Sequence, residues 1–229
     1  MEKDKFLPEY REDYLPSRGI QYPQGTRVYY RPYCLGELLN LDQHSQDEID
    51  LLNFILDGVK VDGMDKYDLT YYDVAYLGWR RKTATLGASV VDAYSFCPNC
   101  DTKNSQSIDL TKLDFIDTDV QKTPIVLTIS NVKLKLNFIT VRDFLSLLSE
   151  KTTDFYHILA KSVTNLPYEE AYDIFMGASG TDLDKIYLLD TILYHGIKPI
   201  QFKCSHEECN HEYELDVTDS QEVEILKPF

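Results

Sequence analysis

Four cysteines stand in a pattern that suits a metal ion. Cys97-Pro98-Asn99-Cys100 is a tight knuckle, and Cys204-Ser205-His206-Glu207-Glu208-Cys209 is a looser one. Each follows a strand-like run, at residues 90–96 and 199–203, and each precedes a second one, at 107–110 and 213–217. Two such knuckles supply four thiolates to one tetrahedral ion, for which zinc is the usual occupant. A saturated site leaves no position for water, so the expected role is structural. His206 and His211 compete as ligands. Cys204, His206, Cys209 and His211 form a second possible set, although spacing this close strains the chelate. The remaining alternative is thiol redox chemistry at Cys97 and Cys100, without the helix N-terminus that lowers a thiol pKa.

The elements that must position the knuckles read as two diverged copies of one unit. The stretch 28–41 and the stretch 134–147 both carry a strand-like run, a bend, an acidic residue and an apolar helix start. Glu37 corresponds to Asp143, Leu39 to Leu145 and Leu41 to Leu147. That offset of 106 residues nearly equals the 107 between Cys97 and Cys204. Repeats set an architecture, so this reading comes first. The expected fold class is α+β, with two diverged repeats, each carrying small antiparallel strands, a helical segment and a zinc-ribbon-like cysteine knuckle. The divisions are an extended arm at 1–26, a first repeat at 27–118 with its knuckle at 97–100, a second repeat at 119–219 with its knuckle at 204–209, and a tail at 220–229.

Turn signals crowd the arm: Leu15-Pro16-Ser17-Arg18-Gly19 and Tyr22-Pro23-Gln24-Gly25. Such an arm either runs over a neighbouring surface or frays. Beyond it the pattern predicts a strand at 26–33 and a helix from 35. A second helix is opened by a capping box at Ser45 and Glu48. A turn follows at 58–62, then a helix over 71–86 closed by Gly87. Strands at 124–129 and 132–138 flank Ser130-Asn131 as a hairpin. Val132, Leu134, Leu136 and Phe138 alternate with Lys133, Lys135 and Asn137, which is strand periodicity. Thr140 is placed to cap a helix at 141–149, with Asp143 at the capping-box position. Further helices are expected at 155–162, 168–176 and 182–194, the last capped by Thr181 and ended by Gly196. An edge strand is possible at 223–225.

The 229 residues are 43% hydrophobic, which suits a folded chain with a sizeable core. Seventeen tyrosines fit either an interface or a tyrosine-rich core. A net charge of -15 argues against the phosphate backbone of nucleic acid as a partner. Arg80-Arg81-Lys82 is the one obvious basic cluster, and it reads as the polar face of a helix. No hydrophobic leader follows Met1 and no apolar run has the length of a membrane span. Thiols that start reduced favour metal over disulfide. Cys34 reads as a packed thiol ahead of a reactive one. There is no Walker loop, dinucleotide fingerprint or H-E-x-x-H pair. Gly177-Ala178-Ser179-Gly180 is too short for a phosphate cradle. Asp114, Asp117 and Asp119 match no cation loop, and His195 reads as a C-cap partner. No catalytic residue is assigned, so the expectation is a protein that is not an enzyme.

Several blocks together resemble the T4-type phage baseplate hub assembly family. They are Leu15-Pro16-Ser17-Arg18-Gly19 with Tyr22-Pro23, then Arg31-Pro32-Tyr33 and Gly36-Glu37-Leu38-Leu39. Residues 71–88, Phe96 to Cys100, Ser107-Ile108-Asp109-Leu110 and Thr140-Val141-Arg142-Asp143-Phe144 follow in order. The resemblance covers about residues 14–148 and their order carries more than any one block. It implies a non-enzymatic assembly factor or component of the central hub of a contractile-tail baseplate. Its partners would be phage baseplate hub and tail proteins, and its place the host cytoplasm during assembly. An integral subunit retained in the virion tail is the alternative. It maps no catalytic residue onto this chain.

Overall fold

The computed structural model describes residues 7–44, 47–87, 90–109, 112–114, 124–193, 196 and 198–215. The cap expected at Ser45, Asp117 and Asp119, His195, and the strand expected at 223–225 lie outside them.

The chain opens with strands β1 (Arg11–Glu12) and β2 (Arg27–Tyr30), then helices α1 (Leu35–His44) and α2 (Glu48–Asp57) and strand β3 (Val59–Asp62). A short 3-10 turn at Lys66–Asp68 leads to helix α3 (Tyr71–Leu86). Hairpin β4 (Val90–Phe96) and β5 (Lys103–Asp109) carries the first knuckle at its tip. Hairpin β6 (Ile125–Ile129) and β7 (Val132–Leu136) precedes helices α4 (Val141–Glu150), α5 (Phe155–Ser162), α6 (Tyr168–Met176) and α7 (Thr181–Leu193). Hairpin β8 (Ile200–Lys203) and β9 (Glu212–Leu215) carries the second knuckle. The fold is thus mixed α+β. Among the described residues one antiparallel sheet has the order β1-β2-β3, and the other three are two-stranded hairpins.

Local chemistry explains most boundaries. Thr70 caps α3 by accepting from Asp73 N, and Thr140 caps α4 by accepting from Asp143 N. The two caps also meet. Tyr71 N donates to Ile139 O and Val141 N to Leu69 O, at 3.0 and 2.8 Å. These are first-turn N–H groups with no partner inside their own helices, so each helix start satisfies the other. Gly87 ends α3 in the left-handed region, at φ 61°. Ser130 and Asn131 both have positive φ, as a two-residue hairpin turn of primed type requires. Helix α2 is capped by Asp47, whose side chain accepts from Ile49 N. Thr181 lies inside α7 rather than before it.

Three expectations are corrected. Residues 59–62 form strand β3, paired Tyr30 to Val59 through Arg27 to Asp62, and not a turn. Val59 and Val61 are β-branched and share the inward face, with Lys60 and Asp62 exposed on the other, and this pattern outweighs the flanking glycines. The described part of the arm neither frays nor reaches outward. It adds β1 to β2 and buries Leu15 and Ser17. The Ser17 hydroxyl and the Tyr22 hydroxyl both donate to the buried Asp73 carboxylate, and Thr70 N donates to the Tyr22 hydroxyl. Gln21 exchanges two hydrogen bonds with the Phe138 backbone, at 2.9 and 3.1 Å. Finally, Arg81 and Lys82 are buried, not solvated, and Arg80 pairs with Asp13 at 2.6 Å.

Arg81 organises the first core. Its guanidinium donates to the carbonyls of Arg31, Phe54 and Ile55 at 2.7–2.9 Å, reaches Glu37 at 3.2 Å, and stacks 3.9 Å from the Tyr33 ring. Arg31 holds the same carboxylate through two bonds of 2.6 and 2.8 Å. A fully buried charge persists only when paired and bonded in this way. Around it pack Leu52, Leu56, Leu77 and Trp79, joined by Val141, Leu147, Phe202 and Leu215 from the later part of the chain. The first core therefore draws on both sides of residue 119. A second core forms within β6, β7, α5, α6 and α7, around Ile129, Leu134, Leu136, Leu159, Phe175 and Ile186.

Candidate metal centre

Both knuckles are built the same way. The Cys97 N–H donates to Thr102 O, two residues past Cys100, and the Cys204 N–H donates to His211 O, two residues past Cys209. The residue after each second cysteine turns left-handed, Asp101 at φ 58° and Asn210 at φ 45°. Asp and Asn tolerate that region better than most residues. The second knuckle has two extra residues, which its longer turn absorbs. Cysteine N–H groups fixed across a hairpin mouth hold the thiols on one side of each tip.

The two tips face each other. All four sulfur atoms, of Cys97, Cys100, Cys204 and Cys209, lie within 4.8 Å of one another. Cys97 and Cys209 are 3.8 Å apart, and Cys100 and Cys204 are 3.4 Å apart. Four thiolates at tetrahedral zinc, with bonds of about 2.3 Å, sit about 3.8 Å from each other. The cluster therefore fits an ion with that coordination, and the thiols are free. Among the described residues the group able to hold a metal consists of these four cysteines. His206 takes part through its backbone N–H, which donates to the Cys204 sulfur at 3.4 Å, and the His211 ring stacks beside Tyr213.

The surroundings differ for each thiol. Cys97 and Cys204 are buried, Cys209 is half-buried and Cys100 is exposed. Hydrogen bonds from the side chain and backbone of Thr102 lower the Cys100 thiol to about 6. Burial raises the Cys204 thiol to about 11. The Asn99 side chain donates to the Cys209 sulfur at 3.4 Å. N–H groups aimed at sulfur orient thiolates and stabilise their charge.

Asn104 ties the hairpins together behind the sulfurs. It is buried on β5, accepts from Ser205 N at 2.8 Å, and donates to the Tyr213 hydroxyl at 3.1 Å and to Thr102 O at 2.9 Å. Nothing in the polar run of β5 marked Asn104 as an inward residue. Its spacing of four from buried Ile108 on one strand face is the signal that was available. Cys34 stands apart, half-buried at the start of α1, where its N–H donates to Glu37. Of the three aspartates that match no cation loop, Asp114 is exposed and lies 3.7 Å from Lys198. Among the described residues, no helix is long and apolar enough to cross a membrane.

A model of the family described as T4 bacteriophage base plate protein matches residues 8–225. No curated protein and no solved structure matches the chain.

Proposed function

The chain belongs to the T4 bacteriophage base plate protein family, and from that premise we propose that it is a non-enzymatic assembly factor of the central hub. It would act in the host cytoplasm through protein–protein contacts on a scaffold stabilised by zinc. The observation that carries the reading is the four-cysteine cluster at the tips of two hairpins 107 residues apart in the chain. Cys97, Cys100, Cys204 and Cys209 would hold the ion, and its chemistry there is structural, since four protein ligands leave no open position. The matching backbone bonds and left-handed residues of the knuckles support two diverged copies of a ribbon-like unit.

Such a scaffold works by the surfaces that it fixes. Strand β4 pairs with β5 alone among the described strands. Val90, Tyr94 and Phe96 share its outer face and are 54%, 43% and 60% exposed. This largely apolar face, which also carries the exposed Asp92, lies on a strand whose second edge is unpaired among the described residues, and that suits the addition of a partner's strand. Tyrosine serves both readings of its abundance: Tyr30, Tyr33 and Tyr76 are buried, whereas Tyr14, Tyr94 and Tyr187 are exposed.

Affinity isolation of the tagged chain from infected cells, with subunit identification and zinc analysis, tests this function. Hub subunits and about one zinc per chain are expected with the tagged protein, and none of the chain in purified virions. Presence at fixed stoichiometry in virions identifies a retained structural subunit instead. Isolation without any baseplate protein overturns the reading.

A further inference from the structure

We infer that, when no ion is bound, oxidation of this cluster joins the two hairpins by disulfides across the tips, Cys100 to Cys204 and Cys97 to Cys209, and not within either knuckle. The inference rests on the thiol geometry and the packing around it, and it holds whichever ion the cluster takes. Each cross-tip pair is already close, at 3.4 and 3.8 Å between sulfurs, in a cluster whose four sulfurs all lie within 4.8 Å of one another. A disulfide needs about 2.05 Å, so side-chain rotation has to close less than about 2 Å. The frame that keeps the tips facing does not depend on an ion. Asn104 bridges to Ser205 and Tyr213, and Phe202 and Leu215 pack into the first core with Ala93 and Ile108. Cys97 and Cys204 are each fixed by a backbone bond across the hairpin mouth.

The order of events follows from exposure. Cys100 is the exposed thiol and meets a soluble oxidant first. With a diazene such as diamide, the Cys100 thiolate adds to one nitrogen of the N=N bond and the other nitrogen takes a proton. The Cys204 thiolate then attacks the Cys100 sulfur. The S–S bond forms, the S–N bond breaks and the hydrazine leaves with a second proton. Two electrons pass from the two sulfurs to the diazene. Cys97 and Cys209 repeat the sequence with a second diazene.

Chain entropy predicts the opposite product without a fold. Cys97 and Cys100 are three residues apart, whereas Cys100 and Cys204 are 104 apart. Loop closure alone favours the short loop by roughly two orders of magnitude. Pairing therefore reports whether the tips stay together.

The experiment takes the full chain stripped of metal by chelation under reductant, exchanges it into buffer and adds diamide. Free thiols are then alkylated, and peptides are mapped by mass spectrometry without reduction. The same oxidation in 6 M guanidinium is the unfolded reference, and a parallel sample keeps its metal while a chromogenic chelator reads ion release. The result expected is a Cys100–Cys204 link first and a Cys97–Cys209 link second, at least about tenfold over links within a knuckle. In guanidinium the ratio should reverse. In the metal-loaded sample the same cross-tip links should appear together with released ion. Links within the knuckles dominating in the metal-free folded sample, or one ratio shared by folded and unfolded chains, overturns the inference. The C100S/C204S double variant adds a check: it should still form Cys97–Cys209, and loss of that link in a variant that remains folded by circular dichroism also counts against it.

Discussion

Asn104 and Ser205 join the two metal-bearing hairpins directly, with the Asn104 carbonyl oxygen accepting from the Ser205 N–H at 2.8 Å. The same side chain donates to the Tyr213 hydroxyl, so one buried amide sets the relative position of β5 and β9. The N104A variant removes these two bonds and the one to Thr102 O, and leaves the Ser205 N–H without its partner. Such a loss costs about 1–3 kcal/mol. Guanidinium unfolding of the metal-free chain should show an unfolding free energy lower by that amount, read as a lower midpoint with an unchanged slope. An unchanged midpoint would mean that the first core, through Ala93, Ile108, Phe202 and Leu215, positions the hairpins without Asn104.

The sequence made the helices legible because their ends carry chemistry that acts locally. Thr140 with Asp143 and Gly87 after α3 are local signals, and both operate as read. The hairpin turn at Ser130-Asn131 was legible for the same reason. The four cysteines were legible as a set because thiol spacing is distinctive, and the fold brings all four together. Arg81 was not legible. A guanidinium in a run of three basic residues looks solvated, and only the carbonyls of Arg31, Phe54 and Ile55, distant in sequence, make its burial tolerable. The clasp of Ser17 and Tyr22 on Asp73 was hidden likewise, because its partners lie more than fifty residues apart.

Glu37 ties stability to acid. Burial raises its pKa, but the bonds from Arg31, the Cys34 N–H and the charge of Arg81 prevail and bring it to about 2, against an ordinary 4.5. A depressed carboxylate contributes stability that is full above the unfolded value and lost as pH falls through the folded one. The wild-type chain should therefore lose stability between about pH 4.5 and pH 2. In the E37Q variant this part of the pH dependence should be missing. At neutral pH the same variant leaves two buried arginines short of a partner, which costs about 3–5 kcal/mol. Chemical denaturation at a series of pH values measures both.

Gly58 and Gly36 make a controlled pair. A Cβ placed on Gly58 would lie 2.0 Å from the Arg81 guanidinium carbon, whereas one on Gly36 meets nothing within 4 Å. Arg81 cannot withdraw, because its bonds to three carbonyls fix it. The G58A variant should lose about 3 kcal/mol or more, as overpacking beside a buried charge does. The G36A variant, inside helix α1, should be neutral or gain up to about 1 kcal/mol. Equal thermal midpoints for the two variants would contradict the packing around Arg81.

Removing the metal should separate the contribution of the ion from that of the core. An ion that binds only the folded chain stabilises it by about 2.7 kcal/mol when its free concentration is 100 times Kd. For a chain of this length that corresponds to roughly 5–10 °C in Tm. Chelation should therefore lower Tm by that much, and restored zinc should return it. The four thiols should not be equal under substitution. Cys204 is buried, so C204S replaces a packed sulfur by a smaller, more polar hydroxyl and loses a ligand, whereas the exposed Cys100 loses a ligand only. C204S should thus melt below C100S in chelator, where neither variant holds an ion. A chelator that leaves Tm unchanged, with no zinc found by elemental analysis of the purified chain, would remove the ion from the account of stability and leave Asn104 and the first core to hold the hairpins.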